Sequence, residues 1–92
     1  MDIVPGQVVY SKSGRDTGRK FLVTDIVDSS YVMISDGDLR KIEKPKKKKI
    51  KHLEITKDVN TLGEKLKSGI RVSNSEVRRA LADSKDQEER QG

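Results

Sequence analysis

Cysteine is absent from the 92 residues, histidine occurs once (His52), and the aromatics are limited to Tyr10, Phe21 and Tyr31. The first absence removes disulfides, thiolate metal sites and thiol nucleophiles together. A single histidine leaves no His-rich metal site and no relay between two imidazoles, and no paired carboxylates sit on a recognisable catalytic scaffold. Neither an enzyme nor a cofactor or bound metal is expected. No apolar run approaches the roughly 20 residues that cross a bilayer, and Met1 to Pro5 lacks the basic flank and apolar stretch of a secretory signal. A soluble, cytoplasmic protein without membrane contact is expected.

What the sequence has is positive charge, and it is concentrated. Residues 1–36 carry a net −1 and residues 58–92 a net of zero, whereas residues 37–57 carry nine cations against three acids. The densest part holds Arg40, Lys41, Lys44, Lys46, Lys47, Lys48, Lys49 and Lys51 with Glu43 as the one acid among them. A solvated loop is the plain reading of such a run. Nucleic acid is the sharper one, because counterion release from phosphates rewards clustered Lys and Arg without demanding fixed geometry. A nuclear-import signal and an anionic membrane surface rank below both, since short basic runs are unspecific and no amphipathic helix adjoins this one.

Twenty of the 29 apolar residues, and twelve of the sixteen Val and Ile residues, lie in the first 55 positions. They form short runs: Val8 to Tyr10, Phe21 to Val27, Tyr31 to Ile34, Leu39 to Ile42 and Leu53 to Ile55. This is strand composition, as β-branched side chains fit a pleated surface. Turn chemistry separates the runs at Pro5-Gly6, Gly14 to Gly18, Asp28-Ser29-Ser30 and Asp36-Gly37, the last read as a type I′ hairpin turn. Connections this short force antiparallel neighbours and a small five-stranded barrel over residues 1–57. The second run is ambiguous in phase, with apolar residues on both faces. It predicts a bent strand that serves the barrel interior on one side and a helix on the other.

Asp58 is read as the N-cap of a helix carrying Val59, Leu62 and Leu66 and ending at Ser68-Gly69, with Gly63 costing about 1 kcal/mol inside it. Ser73-Asn74-Ser75-Glu76 fits a capping box that opens a second helix with Val77, Ala80 and Leu81 on one face. The two helices, residues 58–84, are expected to pack on the barrel, and residues 85–92 to form a disordered tail.

The loop Gly14-Arg15-Asp16-Thr17-Gly18-Arg19-Lys20 puts two glycines and three cations at a hairpin tip. It is not a P-loop, which needs four residues between its glycines and a helix after them. Asp36-Gly37-Asp38 lacks the further ligands of a calcium loop and reads as a turn.

Taken in order, Gly6-Gln7-Val8-Val9, the Gly14 to Arg19 loop and Val23 to Asp28 resemble a KOW motif, a strand-loop-strand element of RNA-binding proteins. With Tyr31 to Ile34, the turn at Gly37, the basic stretch and His52-Leu53-Glu54-Ile55-Thr56, residues 6–56 resemble the eukaryotic and archaeal large-subunit ribosomal protein fourteen family. The resemblance implies an SH3-like barrel, a role in translation and binding to ribosomal RNA beside ribosomal proteins, as a monomer outside that complex. It points to Arg15, Arg19 and Lys20 and to the basic segment ending at His52.

The candidate RNA-binding set is therefore Lys12, Arg15, Arg19, Lys20, Arg40, Lys41, Lys44, Lys46, Lys47, Lys48, Lys49, Lys51 and His52, with Gly14 and Gly18 as loop glycines. His52 is read first as structural, its ring bonded to backbone, and Tyr10 and Tyr31 first as core. The reading requires the loop and the basic segment to lie side by side. A protein-interaction module docking through the C-terminal helices is the alternative, and DNA binding by those helices ranks lower because the Ser68 to Asn74 connection is long for a helix-turn-helix.

Overall fold

The β-branched runs pair with one another in sequence order, as short connections dictate. A computed structural model describes residues 2–84. The elements are β1 (Gln7–Ser11), β2 (Lys20–Ile26), β3 (Tyr31–Ser35), β4 (Lys46–Lys49), a 3₁₀ turn (Ile50–His52), β5 (Leu53–Val59), α1 (Leu62–Lys67) and α2 (Asn74–Ala82). All strand pairs are antiparallel and the sheet order is β4-β3-β2-β1-β5. The 3₁₀ turn carries the chain from one edge of the sheet to the other, so the sheet curls on itself into a small barrel-like domain followed by two helices. This is the predicted fold class.

Neighbouring residues on a strand face opposite ways, and here both faces are filled. Val9, Phe21, Val23, Val32, Ile34 and Leu53 form the interior, with Ile3, Ile50 and Ile55 against them. Val8 and Leu22 point outward and are covered by Val72, Val77 and Leu81, with Ile42, Leu62 and Leu66 at the margin. Fully burying a side chain such as Leu22 is worth about 1.5–3 kcal/mol, so the helices add a second core to a small chain. The ambiguous phase of the second run has this cause. A register shift between Val23 and Asp25 marks a bulge, and Ile26 and Val27 beyond it are exposed.

Two glycines make the helix packing possible. A Cβ on Gly63 would collide with the Pro5 carbonyl oxygen, so the residue that weakens α1 as a helix is the one that lets it sit on the start of β1. Gly37 has φ +74°, and a Cβ there would lie 2.5 Å from the Asn74 carbonyl oxygen at the start of α2. The Arg78 Nη1 donates to the Gly37 carbonyl at 2.6 Å. Ser73 caps α2 as its sequence pattern predicts, its hydroxyl accepting from the Glu76 amide at 3.1 Å, and Val77, Ala80 and Leu81 are buried.

Three expectations are corrected. The fourth strand is not Leu39 to Ile42 but the lysine run itself, which pairs with β3 from Ile34↔Lys46 to Tyr31↔Lys49. Leu39 is exposed, and Ile42 is held by its amide to Asn74 Oδ1 at 2.7 Å and packs toward the helices. Asp36-Gly37 is not a type I′ turn, because only Gly37 has positive φ. Asp36 instead folds the following residues around its carboxylate, and ten residues separate β3 from β4. Asp58 is not a helix cap: β5 continues to Val59, and the Asn60 side chain accepts from the Leu62 amide at 2.9 Å. The tail predicted for residues 85–92 lies outside the described residues.

Candidate nucleic-acid interface

The β1–β2 loop is held by its own backbone. Thr17 N donates to Gly14 O at 3.3 Å, Arg19 N to Asp16 O at 2.9 Å and Gly18 N to Ser11 O at 2.8 Å, and both Gly14 and Gly18 take positive φ. Arg15 projects from the tip, exposed. The loop folds over a carboxylate that is only 8% exposed, Asp16, which receives Arg40 Nη2 and Lys46 Nζ at 3.3 Å each. Lys48 Nζ donates to Ser13 O at 3.2 Å. Loop and basic segment are thus neighbours, the arrangement that a shared positive surface requires.

Acids are built into the junction. Asp36 accepts Arg19 Nε at 2.6 Å, and Asp38 accepts Arg19 Nη2 at 3.3 Å. The second oxygen of Asp36 takes the amides of Asp38 and Arg40, both at 2.9 Å. Burial pushes the Asp36 carboxyl up, but the Arg19 guanidinium and those two amides outweigh it and hold the group below the usual carboxylate range. Asp16 is held low in the same way, burial being overcome by Lys46 and Arg40. Asp36 is therefore the anchor of a turn, and its lone pairs are spent on protein donors.

β4 sorts its lysines by the period of the strand. Lys46 and Lys48 pair with the inward-facing Ile34 and Val32; Lys48 is 9% exposed, and both reach the loop. Lys47 and Lys49 share the other face with Met33 and Tyr31, and Lys47 Nζ lies 4.7 Å from the centroid of the Tyr31 ring. Lys49 and Lys51 line an open cleft of about 380 Å³ with Ser29, Ser30 and Ile50, which places two cations beside two hydroxyls. The Ile50 amide donates to Ser30 O at 2.8 Å and fixes that junction.

His52 closes the patch. Its carbonyl accepts the Lys12 amide at 2.8 Å, but among the described residues its ring makes no hydrogen bond to backbone, contrary to the first reading. The ring stands in a field of cations instead. Desolvation, then Lys51, Lys48, Lys49 and Lys12, depress its pKa and favour neutral imidazole.

The candidate cations fall into two groups. Arg19, Arg40, Lys46 and Lys48 hold the loop to the basic segment, and Lys20 donates to the Leu81 carbonyl at 2.8 Å, tying β2 to the end of α2. Lys12, Arg15, Lys41, Lys44, Lys47, Lys49 and Lys51 have no carboxylate partner among the described residues. Lys41 and Lys44 lie in the segment between β3 and β4 rather than beside the 3₁₀ turn. Sequence reasoning missed the organising part of Asp16 and Asp36 and the place of Ser29 and Ser30. The alternation of a strand would have separated Lys46 and Lys48 from Lys47 and Lys49 had the run been placed on one.

Comparison with known proteins adds an independent observation. Large ribosomal subunit protein eL14 of Desulfurococcus amylolyticus is 35% identical over 51 residues, 55% of this chain and 53% of that protein. Its counterpart in Pyrobaculum arsenaticum is 39% identical over 51 residues, 55% of this chain and 50% of that protein. Over about half its length the chain is similar to eL14. It spans about half the length of these curated eL14 relatives, and no protein-family model matches it. Among the described residues no helix is long and apolar enough to cross a membrane.

Proposed function

We propose that this chain is a non-enzymatic RNA-binding module that associates with the ribosome in the cytoplasm and contacts ribosomal RNA, with ribosomal proteins as neighbours. The observation that carries the reading is the edge strand β4, whose outward lysines Lys47 and Lys49 have no carboxylate partner among the described residues; the same holds for Lys51 and Lys12 and for Arg15, which sits on the loop that the inward Lys46 and Lys48 reach. Lys is a point charge with little power to discriminate bases, so recognition is of phosphate path and RNA shape. Arg19, Arg40, Lys46 and Lys48 act one step back, by fixing the loop that presents Arg15. The names of the eL14 relatives support the ribosomal setting.

Lys residues on an edge strand also discourage edge-to-edge pairing, and the salt response separates the two roles. If four to six phosphates are neutralised, affinity for a ribosomal RNA fragment falls roughly 10²–10³-fold between about 50 and 200 mM salt. A flat salt response, or failure to co-sediment with large ribosomal subunits at low salt, removes the reading.

A further inference from the structure

The ten residues between β3 and β4 hold a second cleft that the surface around the 3₁₀ turn does not include. We propose that this cleft receives one unpaired nucleotide of the bound RNA, its phosphate on Lys41 and Lys44 and its base against Leu39 and Pro45. The inference rests on the RNA-binding reading and deepens it.

The cleft has a volume of about 500 Å³ and is lined by Leu39, Arg40, Lys41, Lys44, Pro45 and Lys46. Four cations and two apolar residues in one wall suit a ligand that is anionic at one end and flat and apolar at the other. Leu39 is 65% exposed and belongs to neither hydrophobic cluster, so its apolar surface is available. Arg40 and Lys46 are steadied by Asp16, which leaves Lys41 and Lys44 as the cations of the wall without a carboxylate partner among the described residues. Arg40 Nε is buried and has no hydrogen-bond partner among the described residues, an unused donor on the same side chain.

The nearby acids are held by other partners, and of them the Glu43 carboxylate also feels the charge of Lys41. Asp38 is paired with Arg19, the Asp36 carboxylate is filled by Arg19 and two amides, and Glu43 Oε1 accepts from Asn74 Nδ2 at 2.9 Å on the helix side. The walls are also preorganised, which lowers the entropy cost of binding. Ser35 Oγ donates to Arg40 O at 2.6 Å, the Lys44 amide donates to Lys41 O at 2.9 Å, and Ile42 is tied to α2 through Asn74. A paired A-form stem hides its bases in a deep groove that side chains do not read, so only an unpaired base can use an apolar wall.

The test compares two RNA hairpins, one with a fully paired stem and one with the same stem carrying a single unpaired adenosine, by fluorescence anisotropy on the whole chain. Wild type is expected to bind the bulged hairpin about 5–10-fold more tightly, the order of withdrawing one to two methylene groups from water. Leu39→Ser, at an exposed position that leaves the fold intact, is expected to abolish that preference while the salt dependence stays as in wild type. Lys41→Ala with Lys44→Ala should weaken both hairpins and reduce the log–log salt slope by about 2. Equal binding of the two hairpins by wild type, or a preference that survives Leu39→Ser, overturns the cleft assignment and leaves salt-dependent RNA binding standing. Loss of both hairpins together with tight binding of a poly-glutamate peptide assigns the cleft to an acidic protein partner, and overturns this inference and the RNA reading alike.

Discussion

Lys46 and Lys48 differ from Lys47 and Lys49 in nothing but the parity of their position on β4. The first pair reaches Asp16 and the Ser13 carbonyl, and Lys48 is nearly buried. Of the second pair, Lys47 is exposed beside Tyr31, and Lys49, half-buried, lines the cleft at the Ser29-Ser30 turn. One chemical group is thus placed in two settings: inward lysines fasten a loop to the sheet, and outward lysines are left for the proposed RNA contact. The lesson is that a basic run in a strand cannot be treated as one electrostatic object.

The largest test of this division is acid. Asp16 and Asp36, the carboxylates that hold the inward cations, both have lowered pKa values. A depressed carboxylate stabilises the fold fully above its unfolded value, about 3.9, and loses that contribution as pH falls through the folded value. Urea midpoints should therefore be steady above about pH 5 and drop below about pH 4. In a variant carrying Asp16→Asn and Asp36→Asn the drop should be visibly smaller, and an unchanged drop would break the division.

Next in size is Asp36→Ala. It removes acceptors for two amides and strands Arg19 half-exposed, at a cost of about 2–4 kcal/mol in chemical denaturation. Lys48→Ala comes third, at about 1–2 kcal/mol, from a lost hydrogen bond to Ser13 O and the packing of its methylene stem. A loss no greater than that of a surface substitution would put Lys48 with the outward lysines. Smallest in stability is Lys47→Ala with Lys49→Ala, within the ~0.5 kcal/mol common for surface changes. The same pair should nevertheless lower the RNA salt slope by about 2, a change that filter binding over a salt series resolves.

Much of the fold was legible in the sequence. Val8 to Tyr10, Phe21 to Val27, Tyr31 to Ile34 and Leu53 to Ile55 mark four strands by β-branched composition, and Ser73 to Glu76 marks the start of α2. The mixed phase of β2 even shows that both its faces are covered. The fourth strand was illegible because four identical polar residues carry no alternation and have low strand propensity; what makes them a strand is β3 beside them. Leu39 to Ile42 offered a more strand-like composition but has no sheet neighbour in those residues. The site was legible as a set of cations but not as an arrangement. Arg19–Asp36 spans 17 positions and Lys46–Asp16 spans 30, distances over which a sequence carries no local signal of pairing.

Composition by itself determined that the chain has no thiol chemistry, that its positive charge lies in the middle, and that its first half forms short antiparallel strands. These follow from side-chain chemistry and from the period of the backbone, which act within a few residues. Only the tertiary structure decided which lysines are free and which are spent, because that depends on buried carboxylates brought from other elements. Ion pairing is a matter of distance in space and dielectric, and the chain sets both only after it has closed on itself.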